Sequence, residues 1–111
     1  MTSLVDLKSY RTSRRTVFLQ KDELRHLMNL YSKRVMTGEW KDYAIDFQEG
    51  HATFTVFKNT FDAPLYSIVK LRHRGSSTEE WLIFSAEERL RRSGSLAGAL
   101  AYFDKKLSVV R

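Results

Sequence analysis

Cysteine is absent from the 111 residues, which excludes a disulfide framework, a thiol nucleophile and a thiolate metal site. Proline occurs once and glycine five times, so the chain reads as regular elements joined by short turns. No apolar run approaches the roughly 20 residues that span a bilayer. Met1 to Lys21 also lacks the apolar core of a secretory signal. What is present is a 42% hydrophobic and 13% aromatic content, enough to build one core and too much for a disordered chain. These features together predict a single small cytoplasmic domain.

The net charge of +6 is unevenly placed. Lys8, Arg11, Arg14, Arg15 and Lys21 face only Asp6 within the first 21 residues, whereas the remaining residues hold 14 basic and 12 acidic groups. The excess therefore lies in a Ser/Thr-rich leader without hydrophobic periodicity. Residues 1–16 read as a flexible basic arm, either solvated or available to phosphates, ahead of a single domain over 17–111.

From Lys21 onward the periodicity is informative. Leu24, Leu27, Met28, Tyr31 and Val35 form one helical stripe, with Asp22 and Glu23 in the first turn, Lys33 and Arg34 in the last, and Gly38 as the stop. From Trp40 the period drops to two, and Tyr43, Ile45 and Phe47 alternate with Asp42, Ala44 and Asp46 as in a half-buried strand. Glu49-Gly50 predicts a two-residue hairpin turn. It would set Phe47 opposite Ala52, Ile45 opposite Phe54 and Tyr43 opposite Val56, all on one core face.

Leu65 to Arg72 follows Pro64 as a third strand, and Trp81 to Phe84 forms a fourth. Ser85-Ala86-Glu87-Glu88 supports two readings: a short helix through Arg92, or a turn with Arg89 to Arg92 returning as a fifth strand. Leu96, Ala99, Leu100, Phe103 and Leu107 repeat the helical stripe behind Ser95 as N-cap. The expected class is α+β: an antiparallel sheet of four to five strands with two helices on one face, in the order α-β-β-β-β-(β)-α.

Gly38-Glu39-Trp40-Lys41-Asp42-Tyr43-Ala44-Ile45-Asp46-Phe47 resembles a strand motif of a family of small alphaproteobacterial proteins known as a domain of unknown function. Thr55-Val56-Phe57-Lys58, Pro64-Leu65-Tyr66-Ser67-Ile68 and Asp104-Lys105-Lys106-Leu107 extend the resemblance, which runs from about Val17 to Val110. It implies a glycine-containing turn, then a basic strand and a glycine ahead of the last helix. Leu90-Arg91-Arg92-Ser93-Gly94 takes that place, so the resemblance implies the fifth strand. Glu87-Glu88 stands where the turn glycine is expected. No activity, ligand or site residue comes with it.

No constellation of catalytic residues emerges. His26, His51 and His73 are far apart in sequence and lack metal-ligand spacing. Asp42 and Asp46 lie on one strand face about 13 Å apart, too far to share a proton. Ser93-Gly94-Ser95 at a helix start carries no phosphate-loop lysine. The expectation is a protein without enzymatic activity, metal, cofactor, small-molecule substrate or membrane association.

Aromatic and basic groups carry the functional signal. Trp40 and Phe57, on the face opposite Tyr43, Ile45 and Phe47, form with Tyr66 and Ile68 a candidate exposed platform for a protein partner or homodimer. The alternative is nucleic-acid binding by Arg11, Arg14, Arg15, Arg72, Arg74, Arg91 and Arg92, with the aromatics stacking on bases. In a third reading, the leader or a Val17–Leu19 strand simply covers that face.

Overall fold

A computed structural model describes Leu7, residues 10–59 and residues 63–110, the last six by backbone alone. Its elements are α1 (Lys21–Met36), β1 (Asp42–Gln48), β2 (His51–Phe57), β3 (Tyr66–Arg72), β4 (Glu79–Ser85), β5 (Glu88–Ser93) and α2 (Leu96–Val110). The strands form one antiparallel sheet in sequence order, β1-β2-β3-β4-β5. Among the described residues no helix is long and apolar enough to cross a membrane.

The hairpin register is the one that the pattern dictates, with Tyr43 opposite Val56, Ile45 opposite Phe54 and Phe47 opposite Ala52. Its Gly50 alone in the turn takes a positive φ, +82°. The first helix starts where the Gln20 backbone N–H donates to Glu23 Oε1 at 2.7 Å, satisfying one donor ahead of the first turn. The second starts where Ser95 Oγ accepts from the Gly98 N–H at 3.0 Å, as its N-cap role requires.

Both helices lie on one sheet face. Leu27 of α1 and Leu96, Ala99 and Phe103 of α2 are buried with Phe54, Val56, Ile68, Trp81 and Ile83 in the main core. The helices cover the middle of the sheet, and β1 is left at its margin. Tyr43, Ile45 and Phe47, expected in the core, are therefore 39%, 36% and 43% exposed. Alternation identified their side of the sheet correctly, but an edge strand is only half covered by its neighbours.

The other sheet face has its own small core of Val69, Leu71, Leu82 and Phe84, against which Leu7 and Tyr10 pack. This is the covering by the leader that the sequence left as one of three readings. The described part of that leader is bound through its backbone. Ser13 N–H donates to the Arg72 carbonyl at 2.9 Å, Arg74 N–H to Arg11 at 2.8 Å, Gly50 N–H to Arg15 at 2.9 Å and Val17 N–H to Gln48 at 3.0 Å. Residues 11–17 thus run along the sheet as isolated bridges, Thr12 with His73 and Thr16 with Glu49.

The open choice after Ser85 resolves as a turn and a fifth strand, paired to β4 with a register shift between Ile83 and Phe84. Ala86 takes φ +55° there, a left-handed conformation unfavourable for a residue with a Cβ. Ala86→Gly should therefore stabilise the fold by about 0.5–1 kcal/mol, the relieved strain exceeding glycine's larger chain entropy. A urea midpoint that rises at constant slope would confirm it; a lowered midpoint would show that the turn bears no strain at Ala86.

Candidate interaction surface

The outer side of β1 combines two kinds of unsatisfied group. The Phe57 carbonyl accepts from Lys41 N–H and the Val56 carbonyl from Leu65 N–H, each at 2.8 Å, so odd-numbered β2 residues bond toward β1 and even-numbered ones toward β3. In the observed register Asp42, Ala44, Asp46 and Gln48 then face β2. The backbone groups of Tyr43, Ile45 and Phe47 point outward from the sheet. Only the Tyr43 N–H finds a local partner, Asp42 Oδ1 at 2.8 Å.

The side chains of these same three residues form the exposed apolar ladder. Phe18, just before α1, lies edge-on to Phe47 with ring centroids 5.2 Å apart. Tyr31 of α1 lies edge-on to Tyr43 at 4.9 Å, its hydroxyl donating to the Lys41 carbonyl at 2.9 Å. Burial, with Asp42 and Tyr43 adding, raises the Tyr31 phenol above its ordinary value. Tyr43 also stacks on buried Phe54 at 5.4 Å. Neighbouring rings thus hold Tyr43 and Phe47 in place, leaving their outer sides to solvent. Among the described residues, Phe18 at 55% exposure and Met36 at 86% are the most exposed large apolar side chains.

The aromatic platform expected from Trp40, Phe57, Tyr66 and Ile68 does not exist. Trp40 is 2% exposed and Ile68 fully buried, both in the main core. Tyr66 packs against that core, 5.1 Å from the Phe103 ring, with Trp40 5.4 Å from the same ring. Trp40 precedes the first residue of β1, so the strand alternation that put it on the outer face does not reach it. Phe57 is half-buried opposite Asp42 on the other side of the sheet.

The basic residues fall into two groups. Arg72 pairs with Glu79 and Arg92 with Glu80, while Arg91 donates to the Gly98 carbonyl at 2.8 Å. Arg11, Arg14, Arg15 and Arg74 are exposed, with no acidic partner among the described residues. The backbone bond between Arg74 and Arg11 brings these two together at one corner of the sheet.

His26 is exposed. His73 meets Glu80 at 2.9 Å. Burial would raise the Glu80 carboxyl, but hydrogen bonds from His73 and Arg92 outweigh it and hold it below the usual range. Burial likewise keeps the His51 imidazole below its ordinary value, against the opposing pull of the Glu49 backbone and Asp46. Among the described residues no group of three or more His, Asp or Glu side chains is placed to hold a metal ion.

Two buried cations escaped the sequence reading. Lys70, 1% exposed, donates from Nζ to the Phe18 carbonyl and to Glu23 Oε1, both at 2.8 Å, beneath the Trp81 ring. Its signal was a lone lysine on the Ile68 side of an apolar strand. Arg34 lies beside the touching Trp40 and Phe103 rings, its guanidinium 5.6 and 5.7 Å from their centres, and donates to Glu39 and to the Phe103 carbonyl. At the end of α1 it looked like an ordinary dipole-compensating charge. Both cations act as internal ties, α1 to β3 and α1 to α2.

The model of a family described as a protein of unknown function (DUF2794) matches residues 17–100, and the chain belongs to this family. The match covers α1, the whole sheet and only the first turn of α2. No curated protein and no solved structure matches the chain.

Proposed function

We propose that this DUF2794 domain is a non-enzymatic protein-interaction module that binds through the outer edge of β1. One observation carries the reading: Tyr43, Ile45 and Phe47 expose apolar side chains on one face while their backbone N–H and C=O groups point away from the sheet. An added strand satisfies both at once, its backbone completing the ladder and its alternate side chains covering the ring surfaces. Proteins usually blunt such an edge with charge, proline or a covering segment. Here the only acids within the strand, Asp42 and Asp46, lie on the opposite face from the ladder.

The test places a photocrosslinking phenylalanine analogue at Ile45 or Phe47 in intact cells, with Glu87 in the β4–β5 turn as control. Protein adducts are expected from positions 45 and 47 and not from 87. No adduct at β1, or equal labelling at all three positions, would overturn the reading.

The exposed arginines without an acidic partner among the described residues, Arg11 and Arg74 at one corner and Arg14 and Arg15 farther along the leader, favour a second reading, electrostatic binding of nucleic acid. Under it, labelled RNA or DNA should bind with strong salt dependence and lose affinity when Arg14 and Arg15 are both changed to Glu. Fluorescence anisotropy across a salt series decides; binding that ignores both changes would count against it.

A further inference from the structure

We infer that the strand added to β1 is β1 of a second copy of this chain, running antiparallel across a two-fold axis at Ile45. The inference rests on the reading of β1 as the contact edge and adds the identity of its occupant. It follows from what each symmetric pairing would place face to face.

Because only Tyr43, Ile45 and Phe47 turn their backbone groups outward, only registers that oppose odd-numbered to odd-numbered residues form hydrogen bonds. A symmetric pairing centred on Ala44 sets Asp42 against Asp46 of the second copy. One centred on Asp46 sets that carboxylate against itself. Like charges directly opposite destabilise a strand pair.

Centring on Ile45 avoids both clashes. Ile45 then meets Ile45, Tyr43 meets Phe47, and Ala44 meets Asp46. Asp42 meets Gln48, and at the ends Lys41 meets Glu49, both exposed. The three outward-facing apolar residues, Tyr43, Ile45 and Phe47, all face apolar partners, and the one cation flanking the strand faces an anion. The pairing forms about six backbone hydrogen bonds, the most of the three registers. For Tyr43 the N–H exchanges Asp42 Oδ1 for the Phe47 carbonyl of the second copy. Phe18, already against Phe47, joins the aromatic cluster on each side of the axis. One sheet then continues through both copies, with the helices of each on the same face.

The experiment is sedimentation velocity of the full chain over a concentration series. The expected species has twice the 13.0 kDa of one chain. Ile45→Lys should give the single-chain mass with an unchanged circular-dichroism spectrum, since Ile45 is already partly exposed. Lys41→Glu should weaken association about fivefold, and adding Glu49→Lys should restore it, because only the Ile45-centred register brings the two together.

A native chain that stays at the single mass at every concentration would overturn the inference. So would a dimer indifferent to Ile45→Lys, or a charge swap that fails to restore what Lys41→Glu removes. The wider reading fails separately: photocrosslinks from position 45 or 47 to a different protein, with a monomeric native chain, leave the edge as contact and reject only the second copy.

Discussion

Glu23→Ala is expected to destabilise the fold by about 3–5 kcal/mol, far more than removing an exposed carboxylate, because it strands the buried ammonium of Lys70. Three groups surround that ammonium: Glu23 at 2.8 Å, the Phe18 carbonyl at 2.8 Å and Glu79 at 3.7 Å. Glu79 also serves Arg72, so it replaces Glu23 incompletely. The substitution further removes the acceptor for the Gln20 N–H ahead of α1, a smaller loss of about 1 kcal/mol. The discriminating comparison is Lys70→Met, which keeps most of the apolar stem of the side chain and removes the charge. Glu23 is partly exposed and can turn to water, so this change should be nearly neutral. The double variant should recover most of the loss seen with Glu23→Ala. Urea denaturation of the three variants checks the order; a Lys70→Met chain less stable than Glu23→Ala would show that the ion pair, and not the cost of an unpaired charge, holds α1 to the sheet.

How far the sequence reaches depends on which force acts at each place. The β1–β2 hairpin was legible to the residue because turn and side-chain alternation are independent constraints that agree on one register. The fifth strand was not, since Ser85 to Glu88 carries a capping-box pattern and the turn there uses Ala86 against its conformational preference. The leader was opaque for a different reason. Its ties to the sheet run through the backbone of Arg11, Ser13, Arg15 and Val17, and such bonds leave no side-chain pattern.

The candidate site shows the same limits. Alternation assigned Tyr43, Ile45 and Phe47 to one face, but how much of that face a helix covers depends on packing between distant elements. The strand was therefore read as core, and Trp40, two residues before it, was read as surface. The two errors have one origin: a two-residue period reports the side of a sheet and says nothing of its edge.

Gly50→Ala is expected to cost about 2–4 kcal/mol and to loosen the leader from the sheet. Part of the cost is conformational, since φ of +82° is left-handed and an alanine there loses about 1–2 kcal/mol. The rest is steric. A Cβ at this position would lie 2.4 Å from Thr12 Cβ, 2.5 Å from Thr12 Oγ1 and 2.9 Å from the Ser13 carbonyl oxygen, distances that no van der Waals contact permits. The leader must move, and its bonds are arranged around this one residue: Gly50 N–H to Arg15 and Arg72 N–H to Gly50, each 2.9 Å, with Ser13 bound to the same Arg72. Each lost bond removes roughly 0.5–1.5 kcal/mol. Thr12→Gly separates the two contributions, because it deletes both Thr12 atoms that the new methyl would strike. In that background Gly50→Ala should cost clearly less, the difference being the steric coupling between leader and turn. Hydrogen exchange at the Ser13, Val17 and Gly50 amides supplies the local readout, and their protection should fall in Gly50→Ala before global unfolding begins. Equal costs in both backgrounds, with protection unchanged, would mean that the leader does not rest on the turn and that the loss comes from φ alone.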